Sequence, residues 1–209
     1  MRTDALPQRL ILASSSRYRQ QMLQRLMLPF DVVSPDVDET PRPDERPASL
    51  ARRLALGKAR AVFAQQTPAT AVIGADQVLE LKGQCLGKPG SREQAQQQLM
   101  QLSGQSVVFH SALAIVSADK EQLAISTCQA TFRTLTDNQI NRYLDIDEPF
   151  DTAGSAKAES LGISLLTELQ SSDPTAIIGL PLIELTRMLV NIGMDPLDFA
   201  QPPNIRTTP

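Results

Sequence analysis

A short apolar run, Leu10-Ile11-Leu12-Ala13, ends in three consecutive serines, after which Tyr18, Met22, Leu23 and Leu26 recur at helical spacing. A strand that passes through a polar turn straight into a helix constrains the chain more than any other feature, because it belongs to a sheet covered by helices. Phe30 to Val33 reads as a second strand, and Pro35, Pro41, Pro43 and Pro47 then hold Asp36 to Arg46 in an extended loop. A helix is expected from near Ser49, with Leu50, Leu54, Ala61 and Val62 on its buried side and Lys58 near its edge. Ala71 to Leu81 follows as a strand.

Gly87-Lys88-Pro89 is a turn just after a hairpin, and Ser91 with Gln94 makes a capping-box pattern for a helix to about Leu102, with Gly104 as its stop. Val107 to Val116 and Leu123 to Phe132 flank Ala118-Asp119-Lys120 as an antiparallel pair. Thr136 and Gln139 repeat the capping box before a short helix ending near Leu144, and Pro181 opens a helix that closes at Gly193. The polar tail from Pro196 to Pro209 has little to bury and reads as disordered. The alternation predicts one α/β domain over residues 1–195 with a mixed sheet flanked by helices.

Composition narrows the function. At 42% hydrophobic and 21% charged, the 209 residues can bury a core. Twenty Lys and Arg stand against 23 Asp and Glu, only 4% of residues are aromatic and Trp is absent, so neither a basic surface nor stacking platforms for nucleic acid are provided. The single histidine, His110, rules out a multi-histidine metal site, so any metal is expected on carboxylates, which favours Mg²⁺ or Mn²⁺. His110 itself reads as a strand residue satisfied by a neighbour. Cys85 and Cys128 lack CxxC spacing and read as reduced thiols, and the apolar run after Arg9 is too short for a signal or a membrane span, which points to the cytoplasm.

Polar residues in strand-to-helix turns carry the chemistry of α/β folds. Ser14, Ser16 and Arg19 sit where backbone N–H groups and a helix dipole favour an anion, and hydroxyls with a guanidinium would grip a polyphosphate. Simple N-capping is the commoner use of such serines, and no GxxxxGK[ST] loop is present. Asp76 interrupts an otherwise apolar strand, a costly position unless it serves a function. With a second carboxylate it could hold a divalent metal and deprotonate water. Asp36 and Asp38 read as solvated loop residues. Lys58 lies in a basic stretch that by itself suggests a solvated helix face, whereas the turn around Lys88 fixes its backbone, and two lysines could neutralise a phosphate chain.

Leu10-Ile11-Leu12-Ala13-Ser14-Ser15-Ser16, Asp38-Glu39-Thr40, Gly74-Ala75-Asp76-Gln77, Leu86-Gly87-Lys88-Pro89 and Ala153-Gly154-Ser155 occur in the order seen in Maf-like nucleotide pyrophosphatases, and the chain resembles that family from about Leu10 to Gly193. The resemblance implies an α/β fold with two lobes around a central cleft, often dimeric. It implies hydrolysis of nucleoside triphosphates between the α and β phosphates with a divalent cation. Carried over, it makes Asp76 the general base, with Ser14, Ser16, Arg19, Lys58 and Lys88 around the polyphosphate and Glu39 with Asp76 toward the metal. Many relatives have Ser-Pro before the arginine pair, where this chain has Ser16-Arg17-Tyr18-Arg19. At the specificity positions, Tyr18, Gln77 and Glu159 resemble the branch acting on 7-methyl-GTP, since members for dTTP and UTP usually have Arg, Thr and Gln there. A methylated, cationic purine suits an aromatic face and a carboxylate, although Tyr18 alone could equally be a core aromatic. A dTTP, UTP or broader pyrophosphatase is the alternative within the class, and a nucleotide-binding regulator of cell division is the alternative outside it.

Overall fold

The computed structural model describes Pro7 and residues 9–201. In chain order, β1 (Arg9–Ala13), α1 (Arg17–Gln24), β2 (Asp31–Val33), α2 (Pro47–Phe63) and β3 (Thr70–Leu81) form two parallel crossovers, with β1 between β2 and β3. Alternate residues of β1 serve opposite faces. Leu10 and Leu12 pack with Met22 and Leu23 of α1, while Ile11 and Ala13 pack with Leu50, Ala51, Leu54 and Ala55 of α2. The helices therefore cover opposite sides of the sheet, and the winding reverses between β1 and β3. Ligands of open α/β sheets bind beyond the C-terminal strand ends at such a switch point.

The remainder of the sheet is antiparallel. β3 turns through Lys82 and Gly83, both at positive φ, into β4 (Gln84–Leu86), and α3 (Arg92–Leu102) leads to the long pair β5 (Ser106–Val116) and β6 (Glu121–Phe132). α4 (Asp137–Asp147), β7 (Leu166–Ser171), α5 (Leu182–Val190) and α6 (Pro196–Phe199) complete the described elements. The strand order is β2-β1-β3-β5-β6-β7 with β4 also on β3, a seven-stranded mixed sheet flanked by helices as expected. One sheet joins the parallel and antiparallel parts. Around its far end Leu79, Leu99, Phe109, Phe132 and Tyr143 form a second core beneath α3 and α4.

Several boundaries differ from expectation. α2 begins at Pro47, whose fixed φ suits the first turn, two residues ahead of Ser49. Lys58, expected near the edge of that helix, is buried at 5% exposure. α4 runs past Leu144 to Asp147 and is stopped by left-handed Glu148. Pro181 is the N-cap of α5 rather than a residue of its first turn, and the helix ends at Val190, before Gly193. The tail does not begin disordered: Asp195 caps α6, Pro196 is buried, and the Gln201 N–H donates to the Met27 carbonyl at 2.9 Å. Residues 202–209 lie outside the described residues. β7 was not anticipated, because as a largely exposed edge strand it carries no apolar alternation. Among the described residues no helix is long and apolar enough to cross a membrane.

Candidate active site

The site begins with a glycine. A Cβ on Gly74 would lie 2.1 Å from the Ala55 carbonyl oxygen and 2.8 Å from the Ala59 nitrogen, so only glycine lets α2 rest directly on β3. That contact brings Lys58, one residue before Ala59, over Asp76, two residues beyond Gly74. Lys58 Nζ lies 2.6 Å from Asp76 Oδ1 and 2.6 Å from Glu39 Oε1. Asp76 is only 6% exposed, and its charge is tolerated in an apolar strand because the ammonium answers it. Glu39 reaches in from the exposed proline-rich loop. Partial burial pushes its carboxyl pKa up, but the hydrogen bond and charge of Lys58, with Lys88 and Arg19, bring it below the ordinary value.

The serine turn supplies the opposite wall. Ser14 Oγ accepts from the Ser16 N–H at 3.1 Å, and Ser16 Oγ caps α1 by accepting from the Arg19 N–H at 3.4 Å. Capping uses the oxygen lone pairs and leaves each O–H free to donate. Arg19 Nε donates to the Gly179 carbonyl at 3.0 Å. Burial draws the guanidinium pKa down, opposed by the charges of Asp76 and Glu39. Gln77 points to the other face of β3, where Nε2 donates to Ser111 Oγ and to the carbonyls of Ala176 and Ile177 at 2.9–3.0 Å.

Ser14, Ser16, Arg19, Glu39, Lys58, Asp76, Gln77 and Lys88 all line one cavity of about 380 Å³, whose apolar wall includes Leu50, Leu54 and Leu86. Tyr18 lines an adjoining open hollow with Arg17 and Asp151, and the two spaces share Ser15, Ser16 and Lys88. Glu159 lines neither. It is exposed, yet partial desolvation of its carboxyl, with the charges of Asp147 and Asp151, raises its pKa against the pull of its own backbone N–H and of Lys157. Asp36 and Asp38 are exposed loop residues, Asp38 accepting from the Thr40 N–H. His110 lies outside the cavity, its Nε2 2.7 Å from Glu80 Oε2. Cys85 and Cys128 are unpaired thiols, as expected.

A model of the family described as Maf-like protein matches residues 9–192. The chain belongs to that family. This Maf-like protein is 58% identical over 193 residues to a 7-methyl-GTP pyrophosphatase of Bordetella pertussis, covering 92% of the present chain and 96% of the relative. It is 53% identical over 187 residues to a protein of the same name from Polaromonas, covering 88% and 85%, and 51% identical over 185 residues to one from Xanthomonas oryzae, covering 88% and 97%. Within the Maf-like chain, sequence reasoning missed Asp173. Its buried carboxylate accepts from the N–H and hydroxyl of Thr175 and from the N–H groups of Ile183 and Glu184, which shapes the turn that presents the Gly179 carbonyl to Arg19. The Ser-Asp-Pro-Thr stretch at 172–175 was its only sequence signal, an Asx-type turn ahead of a helix.

Proposed function

We propose that the protein is a nucleoside triphosphate pyrophosphatase that converts 7-methyl-GTP and water to 7-methyl-GMP and pyrophosphate. The observation that carries this reading is the buried Asp76–Lys58 pair, joined by Glu39 from the exposed loop, in a cavity lined also by Ser14, Ser16, Arg19 and Lys88. The site supplies a carboxylate for a water proton and three cations, Arg19, Lys58 and Lys88, for a phosphate chain. The relatives bearing the 7-methyl-GTP name support the choice of substrate.

In the proposed reaction Asp76 accepts a proton from water as the water oxygen bonds to the α-phosphorus, and the bond from that phosphorus to the α,β-bridging oxygen breaks to release pyrophosphate. Lys58 orients Asp76 through Oδ1. Lys88 and Arg19 stabilise negative charge on the transferring and departing phosphates, and the serine hydroxyls donate to phosphate oxygens. Among the described residues no three potential ligands converge on one point. The donor set nevertheless fits Mg²⁺ or Mn²⁺, which are held by one or two carboxylates together with substrate phosphates. Asp76 and Glu39, each of which contacts Lys58 through one oxygen, would hold such an ion. When bound, a divalent ion neutralises phosphate charge and polarises the P–O bonds.

Tyr18 is assigned to reading the base, Gln77 to selectivity through the turn at 176–178 that it anchors, and Glu159, which lines neither hollow, to selectivity through its charge alone. The family resemblance also supports a cytoplasmic homodimer, whose mass light scattering would read. The deciding experiment incubates purified protein and Mg²⁺ or Mn²⁺ with 7-methyl-GTP, GTP, dTTP and UTP and identifies the products. The expected result is fastest release of pyrophosphate from 7-methyl-GTP. Release of orthophosphate would refute α–β cleavage, preference for pyrimidines would move the protein to the dTTP and UTP reading, and binding without turnover would favour a regulator.

A further inference from the structure

Beside the cavity, the open hollow of about 440 Å³ holds one aromatic ring and one carboxylate, and a cation of the chain itself lies on the ring, linked to the carboxylate through the ring's hydroxyl. The Arg17 guanidinium carbon lies over the Tyr18 ring, 4.9 Å from its centroid, and Arg17 Nη2 donates to the Tyr18 hydroxyl at 2.8 Å. That hydroxyl in turn donates to Asp151 Oδ1 at 3.2 Å. Tyr18 and Asp151 are 133 residues apart, so the fold builds this contact, not local sequence. The charge of Asp151, and more weakly that of Glu159, favours a cation here. The hollow adjoins the phosphate cavity through Ser15, Ser16 and Lys88, so a nucleotide whose phosphates lie in the cavity can extend its base into it.

We propose that Asp151 is a selectivity residue supplying the counter-charge for a cationic purine over Tyr18, and that Arg17 holds this place in the free protein and is displaced by the base. The proposal rests on the function proposed above and adds the group that distinguishes a methylated from an unmethylated guanine. An arginine and an N7-methylated purine are both flat cations with N–H donors, so a ring and carboxylate that fit one fit the other. A neutral guanine would have to displace the guanidinium without replacing its charge.

The test measures binding of 7-methyl-GTP and GTP by titration calorimetry in EDTA, where neither is turned over, at a pH below ionisation of N1–H. Turnover is assayed separately with Mg²⁺. Arg17 and Asp151 are exposed, so their substitution leaves the fold standing. Asp151→Asn is expected to reduce the preference for 7-methyl-GTP over GTP about fivefold, the scale of exposed charge contacts. Arg17→Gln is expected to tighten binding of both nucleotides about threefold by removing the competitor, with the preference unchanged. An unchanged preference in Asp151→Asn, or a wild type that binds both nucleotides alike, overturns the assignment. Equal weakening of both nucleotides by Arg17→Gln would make Arg17 a phosphate ligand and overturn the displacement. If the wild type prefers 7-methyl-GTP in EDTA yet fails to hydrolyse it with metal, the proposed function falls while the base site stands.

Discussion

The two hollows of this protein share Ser15, Ser16 and Lys88 but hold their charges in opposite ways. In the deeper one Lys58 and Asp76 are nearly excluded from solvent and fixed by a helix and a strand in direct contact. In the outer one Arg17 and Asp151 are exposed and meet only through the edge of Tyr18. Electrostatic interactions strengthen as water is excluded, so the inner charges suit bond making and the outer ones suit choosing among bases. Substitution inside should therefore cost rate or fold by large factors, and substitution outside should change ratios by small ones.

Asp76→Asn should show the contrast most strongly. The amide keeps the shape and can still accept from Lys58, but cannot take a proton from water, so kcat should fall by about 10²–10⁴ with the circular dichroism spectrum retained. Near-normal kcat in the folded variant would end the general-base assignment. Gly74→Ala comes next: a methyl group 2.1 Å from the Ala55 carbonyl forces α2 away from β3. The expected loss is about 1–3 kcal/mol, read from the urea midpoint, with kcat reduced because Lys58 is lifted off Asp76. An unchanged midpoint would show that the helix can give way without cost.

Lys88→Ala lies on the boundary between the hollows. Because phosphates are common to every substrate, kcat/KM should fall by about tenfold for purine and pyrimidine triphosphates alike. A changed base preference with intact general activity would move Lys88 to the outer site. Glu159→Gln should lower kcat/KM for 7-methyl-GTP by at most about fivefold relative to UTP, the scale of an exposed charge acting without contact, since the residue lines neither hollow. A common drop for 7-methyl-GTP, GTP and UTP would assign it to the fold.

The smallest effect concerns the loop that carries Glu39. Arg53 binds both Glu45 carboxylate oxygens at 2.7 and 2.8 Å and also the Thr40 carbonyl, and this guanidinium lowers the Glu45 pKa to about 2. A depressed folded-state value means the interaction is present above the ordinary carboxylate range and is lost as pH falls from about 4.5 toward about 2. Glu45→Gln should remove that part of the acid dependence of the melting temperature and raise KM up to about twofold. An acid-unfolding curve identical to wild type would show that the pair contributes nothing.

What sequence determined by itself was mostly local. The β1 apolar run feeding the serine turn, the Thr136 and Gln139 capping box with both arms formed, and the β5–β6 pair all arise from interactions between residues close along the chain. Asp76 was visible because a carboxylate in an apolar strand is costly wherever that strand goes. Tertiary structure decided the rest. Helical periodicity could not say that Lys58 is buried, because its burial comes from the absent side chain of Gly74 on another element. Glu159 sits a few residues from a motif that does line the cavity, yet the turn after Ala153 carries it away. The edge strand β7, the buried carboxylate of Asp173 and the meeting of Arg17, Tyr18 and Asp151 likewise depend on residues far apart in sequence, whose contacts exist only once loop-closure entropy has been overcome by the packed core.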